Sequence, residues 1–195
     1  VFVPTIVAAA TEGGAEVFSI DYYNHKAYLG QSPQLYKQIM VGAFERVFTI
    51  AHAYRAEPSV TTRHMSEYVS LDAEFGFINS WQELLDMAEK VVLGMIEMVK
   101  KENANEIDSI FKIKLPQIKN RIPRLKMREA QEIIFKRKKT DHRKEPDLDP
   151  SDEKEICNWA KEETGAPFVF ITHYPTKKRP FYVMPDPEDP EYTLS

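Results

Sequence analysis

The chain has 195 residues, 43% of them hydrophobic and 29% charged, with a formal net charge of −4. That length can bury a core, with one domain as the default, and the single cysteine, Cys157, excludes a disulfide framework and a Cys-based zinc cluster, so a reducing cytoplasm is the natural setting. No apolar run reaches the ~18–20 residues of a membrane span and no signal-peptide pattern is present; the acidic balance excludes a cationic coat but not a local basic patch.

"VFVPTI" opens the chain as a strand-like stretch, and "PEYTLS" closes it without a helix stop or polar tail. Without an initial methionine, the sequence reads as a piece of something longer. "EVFSIDYY" (16–23) and "KAYLG" (26–30) predict a hairpin turning at Asn24-His25. In "GQSPQLYKQIM", Ser32 suits an N-cap and Pro33 the first helical position, with Leu35 and Ile39 on the buried stripe. Gln34 and Lys37, three apart, share another face. That polar pair is either a solvated face or a recognition element, and spacing alone does not choose.

"ERVFTIAHAYRAE" (45–57) and "SEYVSLDAEFGFI" (66–78) read as two long strands. Asn79 and Ser80 then open a helix with a Ser80–Glu83 capping box, and Leu84, Ala88, Val91, Met95 and Val99 repeat along its buried side. Ten of the thirteen prolines follow residue 115, and residues 119–144 hold eleven Lys/Arg against three Asp/Glu around a short helix, "REAQEIIFK". Asp149-Pro150 starts another helix, with Ile156, Trp159 and Ala160 inward and Gly165 as its stop. "FVFITHY" (168–174) and "RPFYVM" (179–184) close as strands. Short turns between successive strands predict an α+β fold, a mostly antiparallel sheet flanked by helices.

Strands 45–57 and 66–78 carry the sharpest chemical pattern. Side-chain alternation puts Val47, Thr49, Ala51, Ala53, Arg55 and Glu57 on one small-residued face, and Phe48, Ile50, His52 and Tyr54 on a bulky face suited to a core. Ser70, Asp72 and Glu74 share the polar face of the return strand. Paired as a hairpin, the strands form a polar floor with room above it, an arginine at one end and carboxylates nearby. Arg63 and His64 join at the rim from the connecting segment. Arginine's planar fork suits phosphate oxygens, and carboxylates suit an amine or magnesium. The same charges also suit plain cross-strand pairing of Arg55 and Glu57 with Asp72 or Glu74. His52 fits a core histidine, His142 and His173 lack ligand-spaced partners, no metal ligands are assigned, and Cys157 fits inert packing.

Together, "ATEGGAEVF", "AYLGQSPQLYKQ" and "FERVFTIAHAYRAEPSVTTRHMSEYVSLDAEF" resemble the catalytic core of the class II aspartyl- and asparaginyl-tRNA synthetases, closest to their archaeal and related bacterial forms. The last stretch is similar to the family's motif 2, at about residues 44–78, and "VFVPTI" to the tail of motif 1. "ITHYPTKKRPFYVMPDPEDPEYTLS" follows the family's later catalytic strands, so the likeness spans nearly the whole chain. It implies one partial catalytic domain over 1–195 with a peripheral basic insertion at about 115–150, and no anticodon-binding domain or motif 3.

The resemblance also implies roles. Arg55 and Glu57 would be the catalytic pair, Arg55 on the ATP α-phosphate and the attacking carboxylate, Glu57 by the adenine or transferred group. Arg63 and His64 would meet ATP phosphates and Met65 the adenine. Ser32, Gln34 and Lys37 would line the aspartate pocket, with Glu12 reaching the substrate amine and Tyr182 as a pocket wall. Lys37 is the residue that favours aspartate over asparagine, because a neutral amide would not compensate a desolvated cation. ATP and Mg2+, with magnesium ligands expected mainly beyond Ser195, aspartate, tRNA and a homodimer of the parent protein follow from the same likeness. The 195 residues alone are expected to be inactive. The readings left open are an asparaginyl-tRNA synthetase, a synthetase-derived asparagine-making paralogue, and a non-catalytic binding module. The basic segment is either a solvated face or a contact for tRNA phosphates.

Overall fold

A computed structural model of the chain describes residues 1–9, 16–56, 65–118, 121–165, 167–179 and 183–194. Two compact units divide it, Val1–Asn79 and Ser80–Ser195.

The first unit begins with a three-stranded antiparallel sheet, β1 (Ile6–Val7), β2 (Ser19–Tyr22) and β3 (His25–Leu29), in the order β1-β3-β2. The expected hairpin forms, but Tyr22 pairs with His25, so the turn sits on Tyr23-Asn24 and Tyr23 takes the positive φ, 51°. Helix α1 (Gln34–Phe44) starts one residue later than expected: Pro33 is its N-cap and no side chain caps it, so Ser32 lies outside. Strands β4 (Arg46–Tyr54) and β5 (Glu67–Phe75) pair antiparallel along all nine residues, from Arg46↔Phe75 to Tyr54↔Glu67. At the joint between α1 and this hairpin, Gly76 donates to the Glu45 carbonyl at 2.8 Å, and a Cβ there would meet Val41 Cγ1 at 2.5 Å. Any side chain there would have to displace the Val41 methyl.

Burial in this unit reverses the sequence expectation twice. The apolar stripe of α1 is outward, with Leu35 exposed and Ile39 71% exposed, while Lys37 is its one buried residue. On β4 the small face is inward and closed, Val47, Thr49 and Ala53 being buried, and bulky Phe48 and Ile50 are 61% and 65% exposed. The physical reason is steric. Small residues let α1 come down onto β4 and β5, so the room foreseen above that face near Val47 and Thr49 is filled by the helix. His52 is likewise an exposed residue paired with Glu67 at 3.0 Å, not a core histidine.

In the second unit, α2 (Gln82–Glu106) runs into a π-helical turn, Ile107–Phe111. The Glu83 half of the expected capping box forms, its carboxylate accepting from the Ser80 N–H at 3.3 Å. The α2 stripe is also outward, Leu84, Val91 and Met95 all being exposed, and the buried residue is Glu89. Helices α3 (Met127–Lys138) and α4 (Pro150–Thr164) behave as the sequence predicts. With strands β6 (Arg124–Lys126) and β7 (Phe170–Thr172) they enclose a core of Met127, Ala130, Ile134, Leu148 and Ile156. Asp149 caps α4 by accepting from the Ser151 and Asp152 N–H groups, Pro150 takes the first turn, and Gly165 ends it at φ 82°. Strands β6 and β7 run parallel, the exception in an otherwise antiparallel arrangement among the described residues. Residues 180–182 of the expected strand 179–184 lie outside the described residues. No described helix is long and apolar enough to cross a membrane.

Candidate active site

The site is built on the inner face of β4 and β5. Register places Thr49 opposite Asp72 and Val47 opposite Glu74, so both carboxylates rise on the face that α1 covers. Lys37 comes down onto them from the helix, with Nζ 3.3 Å from Asp72 Oδ1 and 3.6 Å from Glu74 Oε2, and its side chain is 4% exposed. Gln34, one turn earlier, donates to the same Glu74 oxygen at 3.1 Å. Thus Gln34 and Lys37 share a face and it is an inward one.

These contacts are incomplete. An ammonium offers three donors, and charge-assisted bonds normally close to about 2.7–2.9 Å. Lys37 makes one bond at 3.3 Å and one longer contact, so at least one donor is uncommitted among the described residues. The three side chains also sum to one excess negative charge.

Arg55 follows directly on β4. Its backbone is fixed on both sides: Arg55 N–H donates to Ser66 O at 3.0 Å, Tyr54 N–H to Gly30 O at 3.0 Å and Ala56 N–H to Glu16 O at 2.9 Å. The guanidinium stands 5.8 Å from the ring centre of Tyr68 and is exposed. Tyr68 alternates onto the face of Ser70, Asp72 and Glu74, so Arg55 and Lys37 work the same side of the hairpin. The simple cross-strand alternative for Arg55 is not what forms, because the register sets Arg55 beside Ser66, six residues from Asp72, and α1 engages Asp72 and Glu74. Met65 is exposed at the start of the return limb. Ser32 faces elsewhere, into an apolar hollow of about 300 Å³ that neither Gln34 nor Lys37 lines. Glu12, Glu57, Arg63, His64 and Tyr182 lie outside the described residues.

Sequence reading missed the partnership of Lys37 with Asp72 and Glu74, and the seat of Arg55 on Tyr68. The signal was the matching pair of spacings, three on the helix and two on the strand, but which polar face meets which is a tertiary fact.

The basic run is largely spent on internal pairs. Arg121 and Arg124 bind Asp86, and Arg124 also binds Glu89; Arg128 binds Asp189, Arg137 binds Glu155 and Glu162, Lys138 binds Asp152, and Arg143 binds Asp141 and Glu132. Arg143 holds the Asp141 carboxyl down to about 2. The buried Asp152 carboxylate takes Lys138 at 2.6 Å and His142 at 2.7 Å, with Asp149 alongside. His142 therefore has acidic neighbours that sequence spacing hid, and they form an ion-paired anchor for the start of α4. Burial pushes the Cys157 thiol up, which disfavours the thiolate.

The sequence profile of the tRNA synthetases class II (D, K and N) matches residues 1–195. An aspartate–tRNA(Asp/Asn) ligase of Deinococcus radiodurans is 41% identical over 94% of this chain and 42% of its own length. An aspartate–tRNA(Asp) ligase of Pyrococcus abyssi is 40% identical over 96% and 43%. Among solved structures, an asparaginyl-tRNA synthetase of Pyrococcus horikoshii complexed with asparaginyl-adenylate is similar at a TM-score of 0.84 and 30% identity, covering all of this chain and 44% of that one. The chain spans less than half the length of these relatives. With the α+β architecture, the full-length profile match and these similarities, the chain belongs to the class II tRNA synthetases of the D, K and N group.

Proposed function

We propose that the parent chain is an aspartate–tRNA ligase, and that these residues carry the aspartate side-chain pocket and one edge of its ATP site. The observation that carries this reading is Lys37: a buried ammonium with donor capacity to spare, on the same hairpin face as Arg55. About 13 Å of strand separates Asp72 from Tyr68, a gap two long cationic side chains can narrow to the length of an amino acid joined to a phosphate.

In this reading Lys37 meets the side-chain carboxylate of aspartate, while Gln34 and the acids keep its amine aimed. Arg55 meets the α-phosphate of ATP. The aspartate α-carboxylate attacks the α-phosphorus in line, forming the mixed anhydride and expelling pyrophosphate. The terminal ribose hydroxyl of tRNA then attacks the acyl carbon, and AMP leaves. Two anions meet in the first step, so neutralisation and positioning provide most of the acceleration. The excess negative charge around Lys37 opposes a further carboxylate, which calls for a second cation in the complete pocket. Among the described residues of this face the two carboxylates, Asp72 and Glu74, are held by Lys37 and Gln34, and magnesium ligands are expected mainly beyond residue 195. Glu12, Glu57, Arg63, His64, Met65 and Tyr182 keep the roles their motif positions imply, as do tRNA as substrate, a homodimer and a cytoplasmic setting, whereas Ser32, on a separate apolar hollow, is not assigned to the aspartate pocket.

The likeness to asparaginyl enzymes in the solved structures makes asparagine the competing substrate. Pyrophosphate exchange by the full-length protein with each amino acid tests the two. Exchange dependent on aspartate, with asparagine inert, is the expected result. Preference for asparagine would reject the assignment of Lys37.

A further inference from the structure

In the basic run of 121–143, every arginine and Lys138 are tied up in ion pairs with acids of their own unit, which leaves Lys126, Lys136 and Lys139 as its cations without a salt-bridge partner among the described residues. Three cations without a salt-bridge partner among the described residues meet on one cleft, where no acid of the opposite wall pairs them. A cleft of about 720 Å³ in the second unit lies between residues 143–146, 175–178 and 190–192, and Lys144, Lys177 and Lys178 line it. All three lysines are exposed. Arg143, also on its wall, is committed to Asp141 and Glu132.

The turn that carries Lys177 and Lys178 is held firmly. It is a single 3₁₀ turn, Thr176–Lys178, in which the Lys178 N–H donates to Pro175 O at 3.0 Å. Thr176 clamps it to the opposite wall twice, its N–H donating to Glu191 O at 2.9 Å and its hydroxyl to Pro190 O at 2.9 Å. Two adjacent ammonium groups thus leave a fixed base, so less ordering entropy is lost when an anion binds. Beside them the Arg179 guanidinium lies 3.9 Å over the ring of Tyr174, a flat cationic stack of the kind that supports an exposed base.

We propose that this cleft is a contact for the sugar-phosphate backbone of an RNA strand, with Lys177, Lys178 and Lys144 as the phosphate partners. The choice of RNA over another polyanion rests on the ligase reading above, and the chemistry fits it. The cleft is open and too wide for one phosphate, its cations are point charges without bidentate geometry, and a stacked planar surface adjoins them. Glu145 and Glu191 on its walls keep the net attraction modest. Such a contact positions RNA without reading its bases.

The test uses the full-length protein, an in vitro transcribed aspartate tRNA and filter binding over a salt series. The double variant Lys177→Glu, Lys178→Glu is compared with Lys136→Glu, Lys139→Glu, a charge-matched pair on and just after α3. Loss of the cleft lysines is expected to weaken binding on the order of tenfold and to flatten the slope of log K against log salt by about 2. Aspartate-dependent pyrophosphate exchange, which involves no RNA, stays unchanged, as does the melting temperature. Unaltered affinity and slope in the cleft variant would overturn the assignment, and so would an equal loss in the α3 pair. If the unsubstituted protein binds tRNA through the cleft yet performs no aspartate exchange, the activity reading fails and the cleft stands.

Discussion

Helices α1 and α2 each bury one charged side chain and leave their apolar stripes outside, but the two burials differ in kind. Glu89 on α2 is saturated: Oε1 accepts the Ile122 N–H at 2.6 Å, Oε2 accepts Arg124 at 3.2 Å, and Arg121 stands 3.5 Å away. Lys37 on α1 is held by longer contacts from two acids and keeps donor capacity. A buried charge whose partners are complete is a fastening. One whose partners are incomplete, on a strand face that also carries an arginine farther along, is what the proposed aspartate pocket requires. The difference separates structure from recognition without appeal to position in a motif.

The strongest way to break that contrast is Lys37→Met in the full-length protein. Aspartate-dependent pyrophosphate exchange should fall by roughly 10³-fold or more, since a charge-matched pocket loses its only described cation on α1. A loss of stability without loss of exchange per folded molecule would make Lys37 a fastening like Glu89. The converse is Glu89→Ala, expected to lower unfolding free energy by about 1–3 kcal/mol by stranding the buried Ile122 N–H, while Asp86 still holds Arg121 and Arg124. Exchange by the folded fraction should persist, measured at a temperature well below its melting point.

The same comparison extends to apolar residues. Ile156→Ala, at 1% exposure, should cost about 2–4 kcal/mol in denaturant unfolding. Ile50→Ala, on the outward face of β4, should stay within about 0.5 kcal/mol and reduce dye binding to exposed apolar surface. Equal costs would mean that the outer face of β4 is buried in solution. Among the exposed ion pairs, Arg137→Ala should lower the melting temperature less than Ile156→Ala does, and its loss should shrink further as salt rises.

The smallest effect concerns His173, wedged between Trp81 and Asp186 with its Nδ1 2.8 Å from the Thr172 hydroxyl. Burial, aided by Lys126, holds the imidazole below its ordinary 6.5, with Asp186 opposing. The unfolded chain then binds the proton more readily than the folded one. Stability is complete above that ordinary value and declines as pH falls from it toward the lowered folded one. His173→Gln should flatten this acid limb in melting curves recorded across it; an unchanged limb would place the proton elsewhere.

How much of this was readable in advance depended on whether a segment brings its own packing partner. Residues 122–174 do. Asp149 as cap, Pro150, the inward Ile156 and Ala160, and the Gly165 stop were all legible, because α3 and α4 bury their faces against each other. The stripes on α1, α2 and the bulky face of β4 misled, because periodicity marks which side chains share a face and not what opposes that face. Strand β6 was missed because three residues are too few to show alternation.

The sequence by itself determined the family, the pairing of β4 with β5, and which polar residues stand together on each element. These follow from local chemistry: alternation, turn residues, caps and motif spacing. Tertiary structure decided that the face of Gln34 and Lys37 turns inward onto Asp72 and Glu74, and that the arginines of 121–143 are paired with acids of their own unit while Lys144, Lys177 and Lys178 line a cleft. Those outcomes depend on which elements approach one another, and electrostatic energy depends on the distances that only packing sets.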